Sequence, residues 1–405
     1  MAQGHALVVG AGVGGLAAAV GLQQRGWNVS VLERGRDLGG GAGISLWPNG
    51  LAALSGLGLD DSVVAGGALG GRSGVRIPSG KWIARTDIGG AVAARYGRPL
   101  VLLRRESLLR SLAGRLTAGS VLFGVTAVDV EMTRRRATVQ TEGSAYEGDL
   151  VVIADGAYSR LRSKLVPGHP GVRYAGYTSW RLIAARPDEP VDPAETWGNG
   201  GQRFAVLPLD DGHVYCYATA NAAPGQRGGD ERAELRRRFG QWHRPIPQII
   251  DSVTSSDIIR TDIVEIAEPL TSFHVGRAAL LGDAAHAMTP DLGQGGSQSL
   301  EDAVTLALVS EASRSVEEAL QRYSDLRVRR GADMVRRSHR SGRLYQAPSP
   351  IARAVARLMS VLPAAALVRP LAPVMNWHPP STAPGGSEAS QPDIKGERQL
   401  ARVSG

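Results

Sequence analysis

The chain has one cysteine in 405 residues, Cys216, so it can form neither an internal disulfide nor a thiolate zinc site. That scarcity points to a reducing compartment and to no structural metal. No run of about 18 or more uninterrupted apolar residues occurs, so no membrane-spanning helix is expected. The N-terminus opens into a short apolar strand without the basic stretch and cleavage site of a signal peptide. A cytoplasmic protein is therefore expected. Lysine is nearly missing: only Lys81, Lys164 and Lys395 stand among 46 basic residues. The net charge of +8 is thus an arginine charge. Its densest runs, Arg134-Arg135-Arg136, Arg236-Arg237-Arg238 and Arg327-Arg329-Arg330, lack the interleaved aromatic rings on which bases stack, so no nucleic-acid partner is expected. Internal repeats are absent.

What is present is a globular composition, 43% hydrophobic and 21% charged, with 52 glycines, over a length that suits two intimately packed domains. Ala6-Leu-Val-Val9 reads as a strand, Gly10 to Gly15 as a turn, the following Ala- and Leu-rich stretch to about Arg25 as a helix, and Asn28 to Leu32 as a second strand ending at Glu33. This is a βαβ unit with a parallel sheet. Further apolar strands, Leu150–Ala154 and Arg277–Leu281, each run into an Asp-Gly or Gly-Asp pair. Strand C-termini are where a doubly wound sheet binds ligands. Residues 73–100 and 172–268 are richer in β-branched and aromatic residues and read as antiparallel strands of a second domain inserted twice into the first. Residues 230–242 read as an amphipathic helix. The expected fold class is α/β: a doubly wound parallel-sheet domain (1–72, 101–171, 269–345), an interleaved antiparallel-sheet domain, a C-terminal helical segment (346–378) and a disordered tail (379–405). Residues 351–377 would cap the second domain; Arg353 and Arg357, beside Ala354, Val355, Leu358 and Met359, leave open a helix lying on lipid.

Gly10-Ala-Gly12-Val13-Gly14-Gly15 is a GxGxxG between strand and helix, where backbone without Cβ atoms lets a pyrophosphate approach the helix N-terminus. Glu33 stands where an acid accepts hydrogen bonds from a ribose. The pattern fits NAD or FAD. A second segment, Gly282-Asp283 through His286 to Pro290 and Gly293-Gln294-Gly295, narrows the choice. An aspartate directly after an apolar strand can bind a polyol such as the ribityl chain of a flavin. The helix after Gly295, apolar at Leu300, Ala303, Val304, Ala307 and Leu308, would aim its positive end at the ligand.

Three motifs in this order, the glycine fingerprint, Ala154-Asp155-Gly156 through Arg162, and the Gly282-Asp283 segment, make the chain resemble the class A flavoprotein monooxygenases, in particular their salicylate- and urate-hydroxylase branch. Gly41 to Asn49, Arg105 and Tyr174 to Arg181 support the resemblance, which spans about residues 5–345. It implies FAD held by Gly10, Gly12, Val13, Gly14 and Gly15, with Glu33 and Arg34 at the adenosine. Arg105 would reach the phosphate and ribityl, Asp155 would organise FAD and NAD(P)H, and Asp283 would bind the ribityl. Pro290, Gly293, Gln294 and Gly295 would line the flavin, Pro290 also its oxygen site. Arg162 would follow the family or pair with a nearby acid. Catalytic candidates are Pro290, Arg181 and Tyr177; Tyr215 and Tyr217 share one strand face, which the sequence does not specify. His286 is expected to pack locally. The implied reaction is hydroxylation of a small aromatic or polycyclic substrate with NAD(P)H and O2 through a flavin hydroperoxide. Epoxidation, Baeyer–Villiger-type oxygenation and flavin dehydrogenase or reductase chemistry stay open on the same fold, as do NADH against NADPH and the oligomeric state.

Overall fold

The computed structural model describes residues 4–67, 72–226, 229–347, 354, 357–358 and 360–381. Its first sheet has six strands, in the order His274–Val275, Ala278–Leu280, Leu150–Ile153, His5–Val9, Asn28–Glu33 and Val121–Phe123. All neighbours are parallel except the short His274–Val275 edge. The central strands are apolar on both faces because both faces are covered: every residue of Leu150–Ile153 is buried. The helix after the glycine fingerprint, Val13–Gln23, is buried from Val13 to Leu22. It lies between the sheet and the Gly295–Ala312 helix, and Gly21 allows that approach, since a Cβ there would stand 2.9 Å from the Ala307 Cβ.

The second sheet has seven strands, ordered Ile259–Ile266, Val172–Ala185, His213–Asn221, Arg203–Pro208, Ala194–Trp197, Ser73–Arg76 and Trp82–Thr86. Pairing is antiparallel except between Ala194–Trp197 and Ser73–Arg76. One sheet is therefore built from two stretches of chain some hundred residues apart. The alternation along His213–Asn221 resolves its two faces. Val214, Cys216 and Ala218 join an apolar core with the Glu231–Phe239 and Ile246–Asp251 helices, whereas Tyr215 and Tyr217 point the other way, toward Ala42 and Leu102 at the small two-stranded sheet Gly43–Leu46 and Val101–Arg104.

One local expectation changes. Residues 88–96, expected as strand, form the helix Ile88–Tyr96. Its ends carry strong helix signals: the Asp87 side chain accepts from Gly90 N at 2.8 Å, and Gly97 closes the last turn at φ +68°. The C-terminal segment, which the prolines cut into Ala364–Val368, Arg369–Leu371 and Ala372–Met375, packs on the Ile88–Tyr96 helix, Trp47 and the long Val316–Tyr345 helix. Tyr96 donates to the Val368 carbonyl at 2.8 Å, and Arg330 donates to those of Pro373 and Val374 at 2.9 Å. Arg357 and Leu358 are exposed. Arg353, Val355 and Met359, and the tail from 382 on, lie outside the described residues. No helix among the described residues is long and apolar enough to cross a membrane.

Candidate flavin and substrate site

The glycine turn shows why each glycine stands where it does. Gly10 has φ +104°, and a Cβ there would sit 2.5 Å from the Ala154 carbonyl oxygen. At Gly15 a Cβ would sit 1.9 Å from the Gly10 oxygen. Gly12 differs: the nearest atom to its missing Cβ is an Arg105 guanidinium nitrogen at 3.9 Å, so the space before the helix stays open. No side chain caps this helix and no acid occupies its first turn; the same holds for the Gly295–Ala312 helix. The two helices meet near these ends, a Cβ at Gly14 falling 3.1 Å from that of Ser299. Two uncapped, positive helix ends side by side favour an anionic ligand. Glu33 is half-buried and already holds the turn, accepting from Ala11 N and Gly35 N, both at 2.7 Å. Arg34 is exposed.

Arg105 joins the motifs. Its guanidinium donates to the Gly40 carbonyl at 2.9 Å. Burial lowers its pKa, as does the field of Arg181, while Asp283 and Glu33 oppose the shift. One side chain therefore senses Glu33, Asp283 and, through Arg181, the second sheet. Neither Arg105 nor Arg181 has an ion pair among the described residues. Arg181 donates to Thr261 Oγ1 at 3.2 Å, and its Nε is buried without a partner. Asp283 reaches solvent, yet the protein packed around it raises its carboxyl pKa, with His286 and Arg105 opposing. At Asp155 burial also raises the pKa, and its buried Oδ1 has no partner. Arg162 is buried and donates to the carbonyls of Ala284 at 3.0 Å and Ala157 at 2.8 Å, so it ties the Asp155 loop to the Asp283 loop. Asp155 is the charge beside it, but the carbonyls are its hydrogen-bond partners.

The loop Pro290–Leu292 leads from these tips to the second sheet. Pro290 is exposed, and Gly293 takes φ +60° with Trp47 Nε1 2.8 Å from where a Cβ would be. Gln294 is turned inward: its Oε1 accepts from Asn49 Nδ2 at 2.9 Å and Gln298 Nε2 at 3.2 Å, which leaves only its backbone to face a ligand. Asp291 accepts from Tyr177 at 2.5 Å and from Arg203 at 2.7 Å. Arg203 also stands 3.9 Å from Glu195 and beneath the Tyr345 ring, 4.8 Å from its centroid. Glu195 in turn accepts from Tyr217 and Trp197. Tyr177 is only 1% exposed, and burial together with Asp291 holds its phenol well above the usual range. Tyr177 is therefore buried against Asp291 and held to it by its own hydrogen bond. His286 packs locally, as expected, with Nε2 2.6 Å from Asp302.

Sequence reasoning missed Asp291, Arg203, Glu195 and Tyr345. Asp291 was within reach, lying between Pro290 and Gly293. Arg203 and Glu195 carried no local signal. Two surface clefts, of about 400 and 560 Å³, lie elsewhere and contain none of these residues.

The open space at Gly12, the two bare helix ends, the partnerless Asp155 oxygen and Asp283 fit a dinucleotide with a polyol. A parallel sheet whose strand tips carry these loops, with a second sheet against the same loops, is the arrangement of a dinucleotide-binding oxidoreductase. The comparisons agree, and the chain belongs to the FAD binding domain family, whose pattern matches residues 4–338, within the class A FAD-dependent monooxygenases. It is 38% identical over 352 residues to the aurachin C monooxygenase/isomerase of Stigmatella aurantiaca, covering 84% of this chain and 89% of that one. To an FAD-dependent urate hydroxylase of Klebsiella pneumoniae it is 35% identical over 338 residues, covering 82% and 87%. The crystal structure of Klebsiella pneumoniae HpxO with FAD and uric acid superposes with a TM-score of 0.84 at 30% identity, over 92% of this chain and 96% of that one. The chain is thus an FAD-dependent monooxygenase.

Proposed function

We propose that this enzyme uses NAD(P)H and O2 to hydroxylate a small, planar aromatic or heteroaromatic molecule in the cytoplasm. The observation that carries the reading is the loop Pro290–Gly295: one end starts the uncapped Gly295–Ala312 helix, and the other places Asp291 against Arg203 of the second sheet. One short segment therefore touches both the flavin side and the substrate side. The relatives named above act on aurachin C or on urate by name, and the urate ring supports a flat, polar substrate.

Gly10, Gly12 and Gly15 would admit the pyrophosphate to the helix end, Glu33 the ribose, and Arg105 the phosphates; Asp283 would bind the ribityl and Asp155 would organise the same cleft. Bound FAD would supply the redox chemistry, taking two electrons from NAD(P)H and placing one oxygen atom of O2 on substrate and the other in water. The chain's own residues orient and exclude water. Arg203 is held charged, with its pKa raised by Glu195 and Asp291 against burial, and Tyr177 and Tyr217 are held neutral. Every shifted group of this cluster titrates further from pH 7, so the cluster acts by positioning and by fixed charge rather than by proton exchange. Residues 73–100 and 172–268 would form the substrate domain and the remainder up to 345 the FAD domain.

The test is a panel of phenols, hydroxyquinolines and purines. An active substrate should speed NAD(P)H oxidation and oxygen uptake in step and gain one oxygen atom. Oxidation of substrate without an added oxygen would replace this reading with a dehydrogenase.

A further inference from the structure

Asp302 is fully buried in the middle of the Gly295–Ala312 helix, a place that suits aspartate neither by propensity nor by solvation. Its Oδ2 accepts from Gly282 N at 2.9 Å and stands 2.6 Å from His286 Nε2. Those two groups lie at the start and end of the single helical turn Asp283–His286. Gly282 needs its left-handed φ of +62° and leaves no room for a side chain, since a Cβ would lie 2.7 Å from Ser299 Oγ. One carboxylate oxygen therefore clamps both ends of the turn that carries Asp283.

The other oxygen is held from the next helix. Arg327 Nε donates to Asp302 Oδ1 at 2.6 Å, its Nη1 to Glu301 at 2.5 Å and its Nη2 to the Gln298 side-chain oxygen at 2.9 Å. Arg330 donates to both Glu301 oxygens at 2.6 and 2.7 Å, and Asn49 donates to Glu301 at 2.7 Å. Two arginines thus meet two carboxylates. Burial would push the Asp302 carboxyl up, but His286 and Arg327 prevail and hold it down to about 2. A buried ionic cluster contributes little stability beyond what apolar packing would supply, and what it adds is a single geometry. A planar fork bound on three sides cannot swivel.

We propose that Arg327, acting through Asp302, is a positioning residue for the flavin cleft, setting where the Gly282 turn ends and so where the Asp283 carboxylate stands. Arg327 is 1% exposed and sits a helix away from the cleft, so it touches no ligand. The proposal rests on the FAD reading, and the experiment separates the two failures.

Purified apoprotein is titrated with FAD by quenching of flavin fluorescence, and apoprotein Tm is measured in parallel. If wild type does not bind FAD, the FAD reading fails. If it does, Arg327→Met should raise the FAD Kd about tenfold or more, the scale of a lost hydrogen bond to a charged group. Arg327→Lys keeps the charge balance but not the fork; it should fold and still raise the Kd several-fold. The double variant Arg327→Gln with Asp302→Asn, neutral throughout, should recover apoprotein Tm but not FAD affinity. A merely stabilising role moves Tm alone. Kd values within about twofold of wild type in the lysine and double variants would overturn the proposal.

Discussion

The molecule buries arginine between carboxylates in two places, and the contrast between them separates holding from recognising. Around Arg327 the count is even: Arg327 and Arg330 face Glu301 and Asp302, whose carboxylates are sealed from solvent. Around Arg203 the count is uneven: one guanidinium faces Asp291 and Glu195, and Glu195 keeps about a quarter of its side chain (26%) open to solvent. The first arrangement has no unmet charge to offer and only geometry to give. The second has a surplus carboxylate, two phenols that donate to carboxylates and one open edge, which is what a polar ligand can engage. Charge balance and closure, rather than residue type, mark the difference.

The sharpest way to break this contrast is Arg203→Gln. It should lower substrate-stimulated NAD(P)H oxidation about a hundredfold, close to 3 kcal/mol of transition-state stabilisation, while FAD content in the purified protein stays unchanged. Equal loss of bound FAD would merge the two clusters into one function. Acid titration probes the other cluster at smaller scale. The Asp302 pKa is depressed to about 2 in the folded protein from an ordinary 3.8, so its contribution is complete above about pH 4 and is lost as pH falls toward 2. On the order of 2 kcal/mol should disappear over that window in urea unfolding, and Asp302→Asn should flatten this limb. A control outside both clusters is Asp87→Ala, which removes the helix cap on Gly90. It should cost about 1 kcal/mol in the same assay and leave FAD affinity as it was.

The readable parts of this fold are those in which a local rule and the global structure agree. Four of the first sheet's six strands were legible because strands covered on both faces are largely apolar, while the edges Val121–Phe123 and His274–Val275 carried no such run; three of their loops stood out because glycine or aspartate follows the strand directly. The seven-stranded sheet was legible as composition, not as pairing, since alternation in Tyr215 and Tyr217 gives two faces without saying which is inner. The helix at 88–96 was lost to its β-branched neighbours although Asp87 and Gly97 announced it. The buried charges were opaque for a physical reason. Glu301, Asp302 and Arg327 obey the usual surface pattern of charged residues, and Arg327 even sits in a basic run that reads as solvated. Only spatial pairing removes them from water, and pairing across 25 residues leaves no mark in local spacing. The proposed site divides the same way: glycines and strand-end acids announced the loops at the first sheet's tips, while nothing local announced Arg203 and Glu195 of the second sheet.

The parallel pairing of Ser73–Arg76 with Ala194–Trp197 has a consequence for how the polypeptide reaches its final form. The edge of the larger sheet can close only after more than a hundred intervening residues have been synthesised and laid down elsewhere, which slows the search and favours late, cooperative assembly. Neither lobe should be obtainable by itself from a contiguous piece of the gene, and a nascent chain halted near residue 150 should present two orphan strands, 73–76 and 82–86, as sticky edges to whatever chaperone waits at the ribosome.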